Sequence, residues 1–184
     1  MAEHICPIWV GYLLASPVRK LWHSPQKILR PFIKDGDIVM DVGCAMGFFS
    51  LPMAQMVGER GKVICLDVQE KMLGKLQRHA EKLEIYRRIS LRLANSNGLN
   101  IQDLQESIDF ILAFSVVHEV PDQTVFFREL FDALKDGGYM LVSEPKGHVS
   151  QVNFARTIMT AKNCGLKVRE DVIIPKSRAA LLEK

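Results

Sequence analysis

A short apolar strand followed by a glycine-rich turn constrains this chain more than any other feature. The stretch IVMDVGCAMG (38–47) contains Gly43 and Gly47, and the later run VICLD ends at Asp67. Glycine has no Cβ, so such a turn can bend sharply and let a ligand approach the backbone. Asp67 follows Gly47 by 20 residues, the reach of one helix and the return to a neighbouring parallel strand. This order predicts an α/β unit that binds a nucleoside.

Strands and helices alternate along most of the chain. Apolar runs and helical spacing predict strands at 38–42, 63–67, 89–93, 108–114 and 139–142, helices at 48–57, 69–83, 121–134 and 151–162, and a closing hairpin of strands around 167–173 and 178–182. This alternation predicts a doubly wound α/β fold, in which helices cover both faces of a mostly parallel sheet. Ligands of such sheets lie beyond the carboxyl ends of the strands.

The first 34 residues differ from the rest because they are rich in proline and aromatic residues. Ser16-Pro17 and Ser24-Pro25 have the pattern of a helix N-cap followed by proline at the first helical position. The sequence therefore predicts a helical N-terminal arm or lid over residues 1–34 and one α/β domain over residues 35–184.

Composition and charge exclude several classes of protein. The apolar segment 8–15 is shorter than the roughly 20 residues that span a bilayer, and it lacks the pattern of a signal peptide. The four cysteines are widely separated, which predicts free thiols, no metal site and a cytoplasmic location. No basic stripe is interleaved with aromatic residues, so no nucleic-acid partner is expected.

Charge is unevenly distributed along the chain. Residues 1–34 carry a net charge of +4, residues 35–144 carry −6, and residues 145–184 carry +5. Basic ends around an acidic centre favour an anionic substrate, whereas a solvated charged surface is the simpler interpretation.

The turn Gly43-x-Ala45-x-Gly47, preceded by Asp41, resembles the glycine-rich motif of the class I S-adenosylmethionine-dependent methyltransferases. Ala45 departs from the pattern, since the family most often has glycine there. A dinucleotide-binding turn places its third glycine where this chain has Phe48, which disfavours a nicotinamide-dependent oxidoreductase.

The resemblance covers about residues 35–145, including LKDGGYMLVSEP (134–145), and the core is similar to the quinone C-methyltransferase branch. It implies a seven-stranded Rossmann-like sheet whose last strand inserts antiparallel beside the fifth. It also implies S-adenosylmethionine as the cofactor and a small molecule as the methyl acceptor. A cofactor-binding module without catalysis is the alternative.

The resemblance also implies which residues form the cofactor site. They are Asp41, Gly43, Cys44, Ala45, Gly47, Asp67, Val68, Met72, Asn95, Ser96 and Ala113. Asp67 would bind both ribose hydroxyls, unless it only caps a helix, and Cys44 is interpreted as scaffold. Asn95 and Ser96 would contact the adenine, unless they form an ordinary polar turn. Met72 would pack on the adenine ring or belong to the helix core.

Two residues are candidates for catalysis. His118 follows strand four, where the family presents residues to the substrate, and a histidine titrating near neutrality suits a general base. It could equally only hydrogen-bond at the pocket floor. Tyr12, in the arm, would help to exclude water. His4 and Cys6 have a spacing that could bind a metal or metalloid, but no metal is expected. The acceptor atom and the oligomeric state stay open.

Overall fold

A computed structural model of the chain describes residues 24–95 and 98–184. Its helices and strands, in chain order, are α1 (Pro25–Leu29), β1 (Ile38–Val42), α2 (Ser50–Met56), β2 (Lys62–Asp67), α3 (Glu70–Lys82), β3 (Ile89–Leu93), β4 (Ile108–Phe114), α4 (Gln123–Ala133), β5 (Leu134–Pro145), α5 (Gln151–Asn163), β6 (Lys167–Asp171) and β7 (Ser177–Glu183). Short 3₁₀ helices occupy Tyr86–Arg88, Gln102–Leu104 and Val117–Glu119.

The strands form one seven-stranded sheet in the order β3-β2-β1-β4-β5-β7-β6. Strands β1 to β5 pair in parallel, whereas β7 is antiparallel to both β5 and β6. This arrangement confirms the predicted doubly wound α/β fold, including the antiparallel insertion beside the fifth strand. The strand order reverses between β1 and β4, and ligands of open α/β sheets bind beyond the strand ends at such a point.

Most helices and strands have bounds close to those predicted from the sequence, but the bounds of β5 differ. It was predicted over 139–142 and runs from Leu134 to Pro145. The helix ends before the glycine pair Gly137-Gly138, as predicted, but the pair lies inside β5, at an irregularity where the pairing shifts between Ile108 and Phe110. Glycine tolerates such a bulge, because the extra residues bend away from the ladder without a side-chain clash.

The sheet buries an apolar core on each face. Met40, Ile111 and Met140 alternate along their strands with Val39, Phe110 and Leu141, and each set packs on its own side of the sheet. Side chains of α4 and α5 cover the first set, and side chains of α1, α2 and α3 cover the second. These two faces account for the near-continuous hydrophobic strands of the sequence.

The described end of the predicted arm is part of this core. Leu29 of α1 is fully buried, and the Phe32 ring stacks on the Phe110 ring at 5.5 Å between centroids. Pro25 occupies the first turn of α1, as predicted, but the Ser24 side chain caps no backbone N–H. The Ser16-Pro17 prediction lies outside the described residues. No helix in the described part of the chain is long and apolar enough to cross a lipid bilayer.

Candidate active site

The glycine turn after β1 has a backbone that few residues can adopt. Gly43 and Gly47 have φ angles of +75° and +93°, and Ala45 between them has +46°. The left-handed conformation of Ala45 is costly for a residue with a Cβ, which explains why the family usually has glycine there. The N–H groups of Gly43 and Cys44 both donate to the Leu66 carbonyl at 2.9 Å, which fixes the turn against β2.

Both glycines are also required by close packing. A Cβ on Gly47 would overlap the Leu76 side chain and lie 3.0 Å from Cγ of Leu51. A Cβ on Gly43 would lie 2.8 Å from Cγ2 of Val116, in the segment that follows β4. The turn therefore directly contacts the loop that leads to His118.

We expect Gly47→Ala to lower the free energy of unfolding by about 2–4 kcal/mol, because it combines an unfavourable φ with overlap in a packed region. Gly36→Ala is the matched control, since Gly36 has a similar φ of +89° but nothing within 4 Å of the added Cβ. The control should cost only about 1 kcal/mol. Urea unfolding of both variants measures the difference, and equal costs would contradict the packing role of Gly47.

Asp67 connects the two loops that border the cofactor side of the sheet. It ends β2 and is only 9% exposed. One carboxylate oxygen accepts from the Ala45 N–H at 2.9 Å, and the other accepts from the Gln69 N–H at 2.8 Å. Burial raises the pKa of Asp67, while the hydrogen bonds from Gln69, Ala45 and Val68 act in the opposite direction. Each carboxylate oxygen can accept a further hydrogen bond, so these contacts leave capacity for ribose hydroxyls.

Asp41, near the end of β1, is buried next to the glycine turn. Its carboxylate is 3% exposed and accepts from the hydroxyl of Ser50 at 2.6 Å. Ser50 is the first residue of α2 and is fully buried. Asp41 thus ties the end of β1 to the start of the next helix. Its predicted contact with the amino group of the cofactor stays a prediction.

Cys44 lies in the turn as a buried thiol close to Cys65. Burial and a hydrogen bond with Cys65 raise the pKa of Cys44 well above its usual value. A thiol that keeps its proton is a poor nucleophile, which supports its interpretation as scaffold. Cys65 and Cys164 are also free thiols.

The remaining predicted cofactor residues lie along the same edge of the sheet or next to it. Val68 is half exposed after β2, and Met72 of α3 is buried. Asn95 follows β3, where its backbone pairs with Gly98, and Ser96 lies outside the described residues. The side chain of Ala113, near the end of β4, is fully buried in the core. Their contacts with the cofactor stay predictions.

An imidazole–carboxylate pair follows β4 and β5. Nδ1 of His118 lies 2.5 Å from one oxygen of Glu144, and the other oxygen accepts from the Val117 N–H at 2.8 Å. The Glu144 side chain is 1% exposed. Its hydrogen bond and negative charge raise the pKa of His118 above the usual 6.5, against the effect of burial. Burial also raises the pKa of Glu119, whose carboxylate lies 3.9 Å from Nε2 of His118.

Glu144 was not among the site residues predicted from the sequence. A signal existed, because Glu144 is an acid near the end of an apolar strand, as Asp41 and Asp67 are. Ser115, which lies between the end of β4 and His118, has a strained backbone. Ser115 has a φ of +59°, and its N–H donates to the Ser143 carbonyl at 2.7 Å. Such non-glycine residues often border functional sites.

His118 faces a cavity of about 380 Å³. The cavity lies beside the first half of α5 and is lined by His118, Gln123, Glu144, His148, Val149, Asn153, Arg156 and Thr157.

The structure thus places one predicted catalytic residue, His118, in a pocket, whereas Tyr12 lies outside the described residues. His4 and Cys6 lie outside them too. Within residues 24–95 and 98–184, no three His, Cys, Asp or Glu side chains are grouped to hold a metal.

A family model described as a methyltransferase domain matches residues 33–174. The chain belongs to this methyltransferase family. A demethylmenaquinone methyltransferase from Oceanobacillus iheyensis is 27% identical over 125 residues, which are 68% of this chain and 51% of that protein. A juvenile hormone acid O-methyltransferase from Bombyx mori is 31% identical over 110 residues, which are 59% of this chain and 38% of that protein. The chain thus spans about half, or less, of the length of these relatives.

A solved structure matches the methyltransferase domain over nearly its whole length. The S-adenosylmethionine-dependent methyltransferase from Aquifex aeolicus is 25% identical, with a TM-score of 0.85, and the match covers 97% of this chain and 98% of that one. These findings confirm the predicted family and, with it, S-adenosylmethionine as the cofactor. None of them supports the nicotinamide alternative.

Proposed function

We propose that this chain transfers a methyl group from S-adenosylmethionine to a small organic acceptor that loses a proton to His118. The observation that carries the proposal is the pair formed by His118 and Glu144, which lines a cavity just after the segment that packs on the glycine turn. Relatives named for a demethylated quinone and for an acid support a small organic acceptor.

The cofactor side of the proposal rests on residues that suit an adenosyl group. Asp67 lies beside the glycine turn at the end of β2, and each of its two carboxylate oxygens can accept a further hydrogen bond from a ribose hydroxyl. When bound, the cofactor supplies a methyl group on a positively charged sulfonium, which is already an activated donor. The protein therefore needs mainly to align the acceptor and exclude water.

The acceptor side rests on the tautomer of His118. The short contact to Glu144 places a hydrogen on Nδ1, since a carboxylate only accepts. Nε2 is then free of hydrogen in the neutral ring and can accept a proton from the acceptor. Glu144, held by the Val117 N–H, fixes the ring orientation.

Calorimetry with S-adenosylhomocysteine and with NAD tests cofactor binding. Transfer of labelled methyl from S-adenosylmethionine to a panel of phenols tests the reaction. We expect micromolar binding of S-adenosylhomocysteine, no binding of NAD, and transfer that His118→Asn reduces by about 100-fold. Absence of S-adenosylhomocysteine binding would overturn the proposal, and binding without transfer would favour the non-catalytic module.

The pH dependence follows from the raised pKa of His118. We expect kcat/KM to increase with pH through an ionisation above 6.5, because only the neutral ring accepts a proton. The stabilisation from the charged pair should be fully present below pH 6.5 and be lost as pH rises through that higher pKa. Profiles of kcat/KM and of the free energy of unfolding, measured over the same pH range, check both directions of change. A value of kcat/KM that falls across this ionisation would contradict the base role.

The cellular setting and the partners remain parts of the proposal. The buried free thiols Cys44 and Cys65 support a reducing, cytoplasmic location. We propose that small molecules, and not nucleic acids, are the partners of this chain.

A further inference from the structure

The cavity next to His118 carries more groups that can be positive than groups that can be negative. Arg156, His118 and His148 line it, and Glu144 is its one acidic lining residue. Both oxygens of Glu144 already accept hydrogen bonds, from Val117 and His118. Among the described residues, no carboxylate lies within ion-pair distance of Arg156. The carboxylate of Glu119 lies 3.9 Å from Nε2 of His118 and contributes a further negative charge.

A partly buried arginine beside Glu144 has buried hydrogen-bond donors without a partner. Arg178 of β7 is the register partner of Glu144 on β5, so both side chains lie on the sheet face that α5 covers. Nε and Nη1 of Arg178 are buried and have no hydrogen-bond partner in the described part of the chain. Burying guanidinium donors without a partner is costly. A ligand that accepts their hydrogen bonds would remove that cost.

The surrounding surface has the same sign of charge. The Lys146 N–H donates to the Lys176 carbonyl at 2.9 Å, so two exposed lysines lie where β5 ends and β7 begins. Residues 145–184 together carry a net charge of +5. A positive field of this kind concentrates anions near the cavity mouth.

We propose that the methyl acceptor carries an anionic group, a carboxylate or a phosphate, which Arg156 and Arg178 bind while the reacting atom faces His118. This inference rests on the proposed methyl transfer and adds the chemical class of the acceptor to it. Guanidinium groups form charge-assisted hydrogen bonds with both kinds of anion. The two arginines select and position the acceptor, whereas His118 takes its proton.

Matched pairs of ligands test the inference by binding alone. Benzoate and 4-hydroxybenzoate are each titrated against the corresponding amide, and phenyl phosphate against phenol, with the full chain saturated with S-adenosylhomocysteine. We expect each anion to bind at least about tenfold more tightly than its neutral partner. Arg156→Gln should reduce this preference to within about threefold, and Arg128→Gln, on the exposed face of α4, should leave it unchanged.

Arg178→Met separates ligand binding from a structural role. Methionine removes the unsatisfied donors and keeps an apolar side chain of similar length, so the melting temperature should stay the same or increase. Anion preference should nevertheless fall to within about threefold. A lower melting temperature with an unchanged preference would show a structural role and overturn this part of the inference.

Two further outcomes distinguish a failure of this inference from a failure of the proposed function. Anions that bind no better than their neutral partners, or that do not bind, overturn the inference even when S-adenosylhomocysteine binds. If S-adenosylhomocysteine itself fails to bind, the proposed function is wrong. The anion titrations are therefore repeated without it, which gives a result for the arginine site in either case.

Discussion

Asp67→Asn is expected to weaken the binding of S-adenosylhomocysteine by about 100-fold, since two hydrogen bonds to a charged acceptor contribute about 1.5–3 kcal/mol each. The substitution keeps the size of the side chain but turns one oxygen into a donor. That new donor would face the N–H of Ala45 or of Gln69, which the carboxylate now binds. The variant therefore disturbs the glycine turn as well as the ribose contact. Isothermal titration calorimetry measures the affinity.

Asp103→Asn is the matched control for this variant. Both carboxylate oxygens of Asp103 also accept hydrogen bonds, but they do so from the Arg92 side chain, and the Asp103 side chain is 60% exposed. Exposed ion pairs contribute little, so the control should bind S-adenosylhomocysteine like the unmodified chain. An affinity of Asp67→Asn within about threefold of the unmodified value would contradict the ribose-binding role.

Glu144→Gln is expected to reduce kcat by about 100- to 1,000-fold, because it disorders the imidazole that we propose as the proton acceptor. Both oxygens of Glu144 accept a hydrogen bond, and a glutamine side chain offers only one acceptor atom. Either the Val117 N–H or the His118 ring loses its partner. Leaving a buried donor unpaired also costs about 1–3 kcal/mol of stability, which chemical denaturation measures.

A positioning role for Glu144 has a signature that simple destabilisation lacks. Loss of its negative charge should lower the pKa seen in the pH–rate profile, since that charge raises the pKa of His118. Glu119→Gln is the comparison, because its carboxylate lies at 3.9 Å from Nε2 of the same ring and is 34% exposed. We expect its rate to change by less than about tenfold. A Glu144→Gln profile with an unshifted pKa would contradict the positioning role.

Features that depend on local spacing could be predicted from the sequence. The strands Ile38–Val42, Ile89–Leu93 and Ile108–Phe114 have the predicted bounds, since each is an apolar run between breakers. The pairing of the glycine turn with Asp67 was also expected, because a parallel strand–helix–strand unit has a nearly fixed length. The structure adds the contact between the Asp67 carboxylate and the Ala45 N–H.

Features that depend on distant pairs could not be predicted in the same way. His118 and Glu144 are 26 residues apart, and their contact depends on the register between β4 and β5. That register passes through an irregularity at Gly137-Gly138, which lies inside β5 although the strand was predicted to begin only at Tyr139. Arg178 meets Glu144 only through an antiparallel pair with β7. Charge alone marked residues 145–184 as basic without showing which arginine has buried donors.

One contact described above makes the two halves of the site mechanically dependent on each other. Only the methyl groups of Val116 separate the glycine turn from the segment that carries His118, with no space for one more carbon atom. A ligand that shifts the turn must therefore displace the neighbouring loop or be stopped by it. A ligand bound at the turn and a ligand bound beside His118 would therefore share Val116 as a common wall.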